Sequence, residues 1–142
     1  MSISVDIVND LAKWAVLYKS LFPMVFAFDD KGKVAFFIPG AFDFQMLMIS
    51  FQATLLGIKA CIKNFKISRI IVGLIIEKEI EEEKLEILLI IEMTKSDIFF
   101  KRVVLLEEGF EEDLEEDLKK EEKEEIKRII ENFRSLQQFI QT

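Results

Sequence analysis

The chain has 142 residues, of which about half are apolar and about a third charged, the composition of a folded globular domain and not of a disordered segment. Histidine is absent and cysteine occurs once, which excludes Ser-His-Asp hydrolysis, histidine-ligated zinc and an intramolecular disulfide. The net charge of −7 is local, because residues 107–125 carry −9 and the rest of the chain is close to neutral at +2. That remainder is too weakly basic to predict a nucleic-acid-binding surface.

These exclusions predict a protein that is not an enzyme and that has no catalytic residues, metal ligands or cofactor. Asp29-Asp30 is the kind of acidic pair that binds a hard cation, but in front of Lys31-Gly32 it is more typical of a turn. Asp6 and Asp10 interrupt any apolar leader, and no apolar run reaches the roughly 20 residues that a bilayer requires. We therefore expect a cytoplasmic protein without a membrane span, and its abundance of Ile, Glu and Lys is thermophile-like.

The N-terminal half predicts a helix, a hairpin and a second helix. Apolar residues recur at helical spacing over 3–21, and Pro23 ends that segment. Residues 24–29 and 33–39 then flank a turn in which Gly32 supplies a positive φ, which predicts a β-hairpin. The central segment, residues 42–65, has the length of a helix and is apolar on nearly every side.

The C-terminal half predicts three strands and a closing helix. The strand-like runs are 69–76, 85–93 and 99–106, with a charged loop at 77–84 and a break at Gly109. We expect residues 1–110 to form the main α+β body and residues 111–142 to form a charged amphipathic helix of the same domain. The predicted order is α-β-β-α-β-β-β-α, a five-stranded antiparallel sheet packed with helices.

The central helix divides by angle into a bulky face and a face of small residues. The bulky face suits packing on the sheet, whereas the small face allows a second backbone to approach closely. Two interpretations stay open: the small face packs on the chain's own first or last helix, or it is a self-association surface. The predicted self-interface consists of Met46, Ser50, Ala53, Thr54, Gly57, Ala60 and Cys61.

The acidic segment 107–125 also has two interpretations. It is either a docking segment for a basic partner or the solvated first turns of the closing helix, where acids favour the helix dipole. The residues predicted to dock are Glu111, Glu112, Glu115 and Glu116. From Ile126 to Ile140 the apolar stripe is dense, so that part of the helix is expected to pack on the body.

The consecutive aromatic residues Phe99-Phe100 raise the question of how the sheet is covered. Neighbouring strand residues point to opposite faces, so these two side chains cannot enter the same core. One of them must lie on the other sheet face, under a helix or under a partner.

The order of elements resembles the roadblock/LC7 family and its longin-like and profilin-like relatives. The resemblance is carried by the hairpin residues 26–34 and by Ser50, Ala53, Gly57 and Ala60 in the central helix. It implies a non-catalytic dimerising scaffold or adaptor, a homodimer or a hetero-oligomer with a related domain, that regulates or docks a small GTPase. The alternative from another class is a PAS- or GAF-like small-molecule sensor, which requires a cavity between sheet and helix.

Overall fold

The computed structural model describes residues 5–32, 34–37, 44–62, 64–80, 82–107, 109–113 and 119–141. Two short 3₁₀ turns, Lys19–Leu21 and Arg134–Phe139, accompany the three helices and six strands of these ranges. In chain order the helices and strands are α1 (Val5–Leu17), β1 (Met24–Asp29), β2 (Val34–Phe37), α2 (Phe44–Cys61), β3 (Ile67–Ile80), β4 (Glu83–Met93), β5 (Ile98–Leu106), β6 (Gly109–Asp113) and α3 (Lys120–Phe133).

The strands form one antiparallel sheet in the order β2-β1-β3-β4-β5-β6. The α+β class and the antiparallel sheet are confirmed, and all five predicted strands are present in it. A short sixth strand, β6, extends the sheet beyond β5. The chain crosses from β2 through α2 to β3, which lies beside β1 in the sheet.

The first hairpin forms as the turn residues predict. Asp29 Oδ1 accepts a hydrogen bond from the backbone N–H of Lys31 at 3.0 Å, and Gly32 has a φ of 84°. This left-handed conformation is available to glycine without steric cost. The turn joins β1 to β2 with Phe28 opposite Val34.

The connection between β3 and β4 is shorter than the predicted loop at 77–84. The ladder continues to the pair Ile80–Glu83, and Glu82 in the turn has a φ of 69°. Lys78 Nζ lies 2.8 Å from Glu125 Oε2 of α3, so the charged end of this hairpin is tied to the closing helix.

The prediction that a helix occupies the chain from residue 111 is wrong at its start. Residues Gly109–Asp113 form β6, and the helix begins at Lys120. Phe110 packs partly buried against the α1 side of the sheet, opposite Leu105 of β5. That anchor and the tight reversal after β5 favour an edge strand despite the acidic residues, and charges on an edge strand oppose further pairing.

Each face of the sheet carries its own core. The α1 core joins α1 to the side chains of one face, with Phe99 partly buried against it. The α2–α3 core joins α2, α3 and the C-terminal 3₁₀ turn to the other face, with Phe100 packed against it. Both sheet faces are therefore covered by the chain itself, and Phe99-Phe100 needs no partner to bury its rings.

The C-terminal apolar stripe packs on the sheet as predicted. Its buried members are Ile126, Ile130, Phe133, Leu136, Phe139 and Ile140. Beside them Arg102 of β5, itself buried, donates a 2.6 Å hydrogen bond to Glu122 Oε2 of α3. The pKa of Glu122 lies below its ordinary value of 4.5, and this hydrogen bond is the largest cause.

Candidate interaction surface

One side of α2 is fixed against the body of the protein. Phe51 and Leu55 are fully buried, and the Phe51 ring lies 6.0 Å from the Phe133 ring, centroid to centroid. Gln52 Nε2 donates to Ser135 Oγ at 3.4 Å, which links the helix to the C-terminal 3₁₀ turn. These contacts determine which side of α2 faces away from the core.

The outward side of α2 exposes a continuous apolar surface. Met46, Ile49 and Leu56 are 52%, 59% and 55% exposed, far more than most large apolar side chains that the structure describes. The exposed Ala53 lies between Ile49 and Leu56, and the exposed Ala60 follows Leu56. We call this surface the α2 stripe, and it comprises Met46, Ile49, Ala53, Leu56 and Ala60.

The spacing within the α2 stripe is that of a helix seam. Successive members lie three, four, three and four residues apart, which is the a/d repeat of two helices packed side by side. At 1.5 Å per residue the stripe is about 21 Å long. Within the described part of the chain, α1 lies on the opposite sheet face and α3 contacts the Phe51 side of α2, so neither helix lies over the stripe.

Uncharged or small residues border most of the stripe. Gln45, Gln52 and Lys59 follow one edge, and Lys59 is the one charged residue in the sequence of α2. Gly57 follows the other edge, and a Cβ built there would meet no atom within 4 Å. The surface therefore offers apolar contact without charge repulsion along most of its length.

The structure places the predicted self-interface residues unevenly. Met46, Ala53, Gly57, Ala60 and Cys61 are exposed, whereas Ser50 and Thr54 are half-buried. Ile49 and Leu56 lie in the stripe but were not among the predicted residues. Sorting by angle places Ile49 and Leu56 on neither of the two predicted faces, whereas the a/d spacing from Met46 to Ala60 is the signal that identifies both.

The predicted acidic docking segment does not lie on a helix where the structure describes it. Glu111 is exposed on β6, and Glu112 pairs by its backbone with Val103 of β5. Glu115 and Glu116 lie outside the described residues. The two placed acids thus belong to an edge strand beside α1 and not to a helix.

The alternative function, a small-molecule sensor, requires a ligand-sized cavity beside the sheet. The cavity between the sheet and α3, lined by Ile87, Leu89 and Ile126 among others, measures about 10 Å³, too little for more than a single water molecule. An open groove of about 180 Å³ lies on the other face, between α1 and the β1–β2 hairpin. Its lining residues are Ile7, Asp10, Leu11, Trp14, Phe26, Phe28 and Val34.

The groove is a surface feature between elements and not an enclosed pocket. Trp14, which lines it, is 41% exposed, and its ring centroid lies 6.3 Å from that of Phe26. Ligand sites of small-molecule sensors enclose most of the ligand surface in cavities of about 300–1,000 Å³. Neither of these two spaces has that size.

No family model, curated protein or solved structure matches this chain. The roadblock/LC7 resemblance therefore stays a prediction drawn from the order of elements. In the part of the chain that the structure describes, no helix has the length and apolar character needed to cross a membrane.

Proposed function

We propose that the protein is a non-catalytic dimerisation module, and that the α2 stripe is the surface by which two copies associate. The observation that carries this proposal is the exposure of three large apolar side chains at a/d spacing on a helix whose other side is fixed in the core. Monomeric proteins seldom leave a contiguous apolar helix face in water.

The occupant that fits the stripe is a second copy of the same surface. From Ile49 to Ala60, large and small residues alternate along it, so two copies can interdigitate knob to hole. The sequence of α2 carries no acidic residue, so a strongly basic partner helix gains no ion pair from it. Docking of a small GTPase, which the roadblock/LC7 resemblance implies, stays a separate prediction about another surface.

The size of the stripe sets the expected strength of association. Burying one half-exposed aliphatic side chain contributes roughly 1 kcal/mol. A stripe about 21 Å long and about 10 Å wide covers about 210 Å², well below the ~800 Å² that each partner of a standard stable complex buries. We therefore expect a weak, reversible dimer with a dissociation constant of about 0.1–1 mM, because the entropy cost of association offsets much of the gain.

Sedimentation velocity of the Gly57→Glu variant tests the proposal. Glutamate at this position meets open space in the monomer and improves on glycine in a helix, so the fold should be kept. In the dimer its carboxylate lies at the edge of an apolar contact and opposes association. The wild type should sediment as a dimer at the upper end of a concentration series, and the variant as a monomer throughout.

Gln138→Glu is the matched control, since it adds the same charge at an exposed position outside the stripe. Circular dichroism should show the same secondary structure for both variants, and Gln138→Glu should still dimerise. A wild type that remains monomeric at about 2 mM, beyond the weakest association expected here, would refute the proposal. Equal dimerisation of wild type and Gly57→Glu would refute the assignment to α2.

A further inference from the structure

We propose that the groove between α1 and the β1–β2 hairpin binds an arginine side chain that a partner protein presents. The groove lies on the α1 face of the sheet, whereas α2 packs on the other face. The proposed arginine site is therefore separate from the proposed dimerisation surface, and each can be tested without the other.

The position of the groove follows from the position of α1. This helix packs mainly against β4, β5 and β6, at one side of the sheet. Near β1 and β2, at the other side, the same face opens as a space of about 180 Å³. That volume is below the roughly 300–1,000 Å³ of sites that take a whole small molecule, so it suits one side chain of a larger ligand.

Three aromatic rings line the groove. The Trp14 ring of α1 lies 6.3 Å from the Phe26 ring of β1, centroid to centroid, and Trp14 is 41% exposed. Phe28 follows two residues after Phe26 and so lies on the same face of β1. The face of an aromatic ring attracts a guanidinium group within about 6 Å of its centroid. The walls of the groove therefore favour a cation with a flat, weakly hydrated head.

An arginine of the chain itself already makes this kind of contact at Phe28. The guanidinium carbon of Arg69 lies 4.2 Å from the centroid of the Phe28 ring. Arg69 Nη1 lies 3.4 Å from Glu92 Oε1, and this carboxylate offsets the charge of Arg69. Because Arg69 does not line the groove, the exposed ring of Trp14 is the aromatic face that an incoming guanidinium meets.

Asp10 supplies a negative charge to the groove. It lines the groove from α1, one turn before Trp14, and no ion pair joins it to any residue that the structure describes. Of the neighbouring charged residues of α1, Asp6 lies one turn before Asp10, and Lys13 does not line the groove. Arginine can pair with a carboxylate through two parallel hydrogen bonds while its plane stacks on a ring, which the ammonium of lysine cannot do.

An exposed apolar surface continues from the groove past Trp14. Leu17 and Tyr18 are 68% and 57% exposed. The backbone N–H of Tyr18 donates to the carbonyl oxygen of Trp14 at 2.6 Å, so Tyr18 lies one helical turn, about 6 Å, further along the axis. In an extended peptide, side chains two residues apart lie about 7 Å apart on the same side. A partner segment with an apolar residue two positions from the arginine covers both places, which favours a protein ligand over a small cation.

The fluorescence of Trp14 reports binding in the groove directly, because Trp14 is the only tryptophan of the chain. The probe is a capped pentapeptide with a central arginine, an alanine on each side of it and a leucine at each end. A second peptide replaces the arginine by citrulline, which keeps the shape and removes the charge. The arginine peptide should change the Trp14 emission with a dissociation constant of about 1 mM. The citrulline peptide should bind about 3–30-fold more weakly, because it loses both the cation–π contact and the ion pair.

The full-length Asp10→Asn variant tests the role of the carboxylate. It should bind the arginine peptide about 2–5-fold more weakly than the wild type and the citrulline peptide equally well. Glu124→Gln is the matched control, since it removes one exposed carboxylate from α3 on the other sheet face, and it should bind both peptides like the wild type. Asp10 is exposed, so circular dichroism should show the same secondary structure for both variants.

Four results would overturn the inference. Equal binding of the two peptides would show an apolar groove without preference for a cation, and unchanged Trp14 emission up to about 10 mM peptide would show that the groove binds neither. An equal loss of both peptides in Asp10→Asn would remove the ion pair. Binding of N-acetylarginine amide as tight as that of the pentapeptide would remove the partner protein. None of these results changes the sedimentation test of the α2 stripe.

Discussion

Phe51 of α2 and Phe133 at the end of α3 lie ring against ring, with centroids 6.0 Å apart and planes inclined by 35°. Both side chains are fully buried. Because each sits on a different helix of the same core, their contact holds α2 and α3 side by side on one face of the sheet. It also sets the rotation of α2, and so determines that Ile49 and Leu56 face outward.

Replacing Phe133 by alanine should therefore destabilise the protein strongly. Loss of a fully buried phenylalanine side chain costs about 3–5 kcal/mol, since the core cannot fully close around the cavity. Chemical denaturation monitored by circular dichroism measures the free energy of unfolding directly.

Leu56→Ala is the matched comparison for Phe133→Ala, because Leu56 is 55% exposed. At a concentration where the protein is monomeric, this change should cost less than about 1 kcal/mol. It should nevertheless weaken dimerisation in sedimentation. Similar losses of monomer stability for the two variants would show that Leu56 is buried in solution and that α2 is rotated from the described position.

The contact between Arg102 and Glu122 predicts a pH dependence of stability. The pKa of Glu122 is lower in the folded protein than in the unfolded chain, so the folded state favours the ionised carboxylate. Its contribution to stability is fully present above pH 4.5, the ordinary value, and is lost as the pH falls through the lowered pKa. At neutral pH, Glu122→Gln should cost about 1–3 kcal/mol, because the buried Arg102 loses a charged hydrogen-bond partner.

Denaturation of wild type and Glu122→Gln across a pH series checks this dependence. The difference between their free energies of unfolding should shrink as the pH falls below 4.5, since a protonated glutamate resembles glutamine. Glu124→Gln, at an exposed position of the same helix, is the control and should change stability little at any pH. A constant cost for Glu122→Gln down to the lowest pH would contradict the assigned cause.

Local patterns predicted much of the fold because they act through neighbouring residues. The turn at Asp29–Gly32 and the three β runs follow from short-range chemistry and alternation, and the structure confirms them. The dense stripe from Ile126 onward is equally local in origin. What these elements share is that the pattern and the tertiary contacts favour the same conformation.

The candidate site was only partly predictable because it depends on tertiary packing. Residues of α2 are apolar nearly all round, so periodicity alone does not say which side the sheet covers. That choice is made by contacts between distant parts of the chain, such as Gln52 with Ser135. The two faces sorted by angle therefore leave out Ile49 and Leu56, which the structure exposes.

At the sixth strand a local pattern predicted the wrong element, because the run of acidic residues from 111 onward is typical of a solvated helix. Glu111 to Asp113 have low β propensity, but pairing with β5 and the burial of part of Phe110 override that preference. If this balance holds, Phe110→Ala should release β6 and cost about 1–3 kcal/mol, a fraction of the cost at a fully buried phenylalanine.

Hydrogen exchange read by mass spectrometry tests the role of Phe110 locally. In the wild type, peptides covering residues 109–113 should exchange more slowly than those at the turn around Glu82, because only the former pair with a neighbouring strand along their length. In Phe110→Ala the protection at 109–113 should fall while that of β3 and β4 is kept. Glu111→Gln keeps Phe110 and removes one exposed charge, so residues 109–113 of this variant should be as protected from exchange as in the wild type. Unchanged protection in Phe110→Ala would mean that the backbone pairing holds β6 without its aromatic anchor.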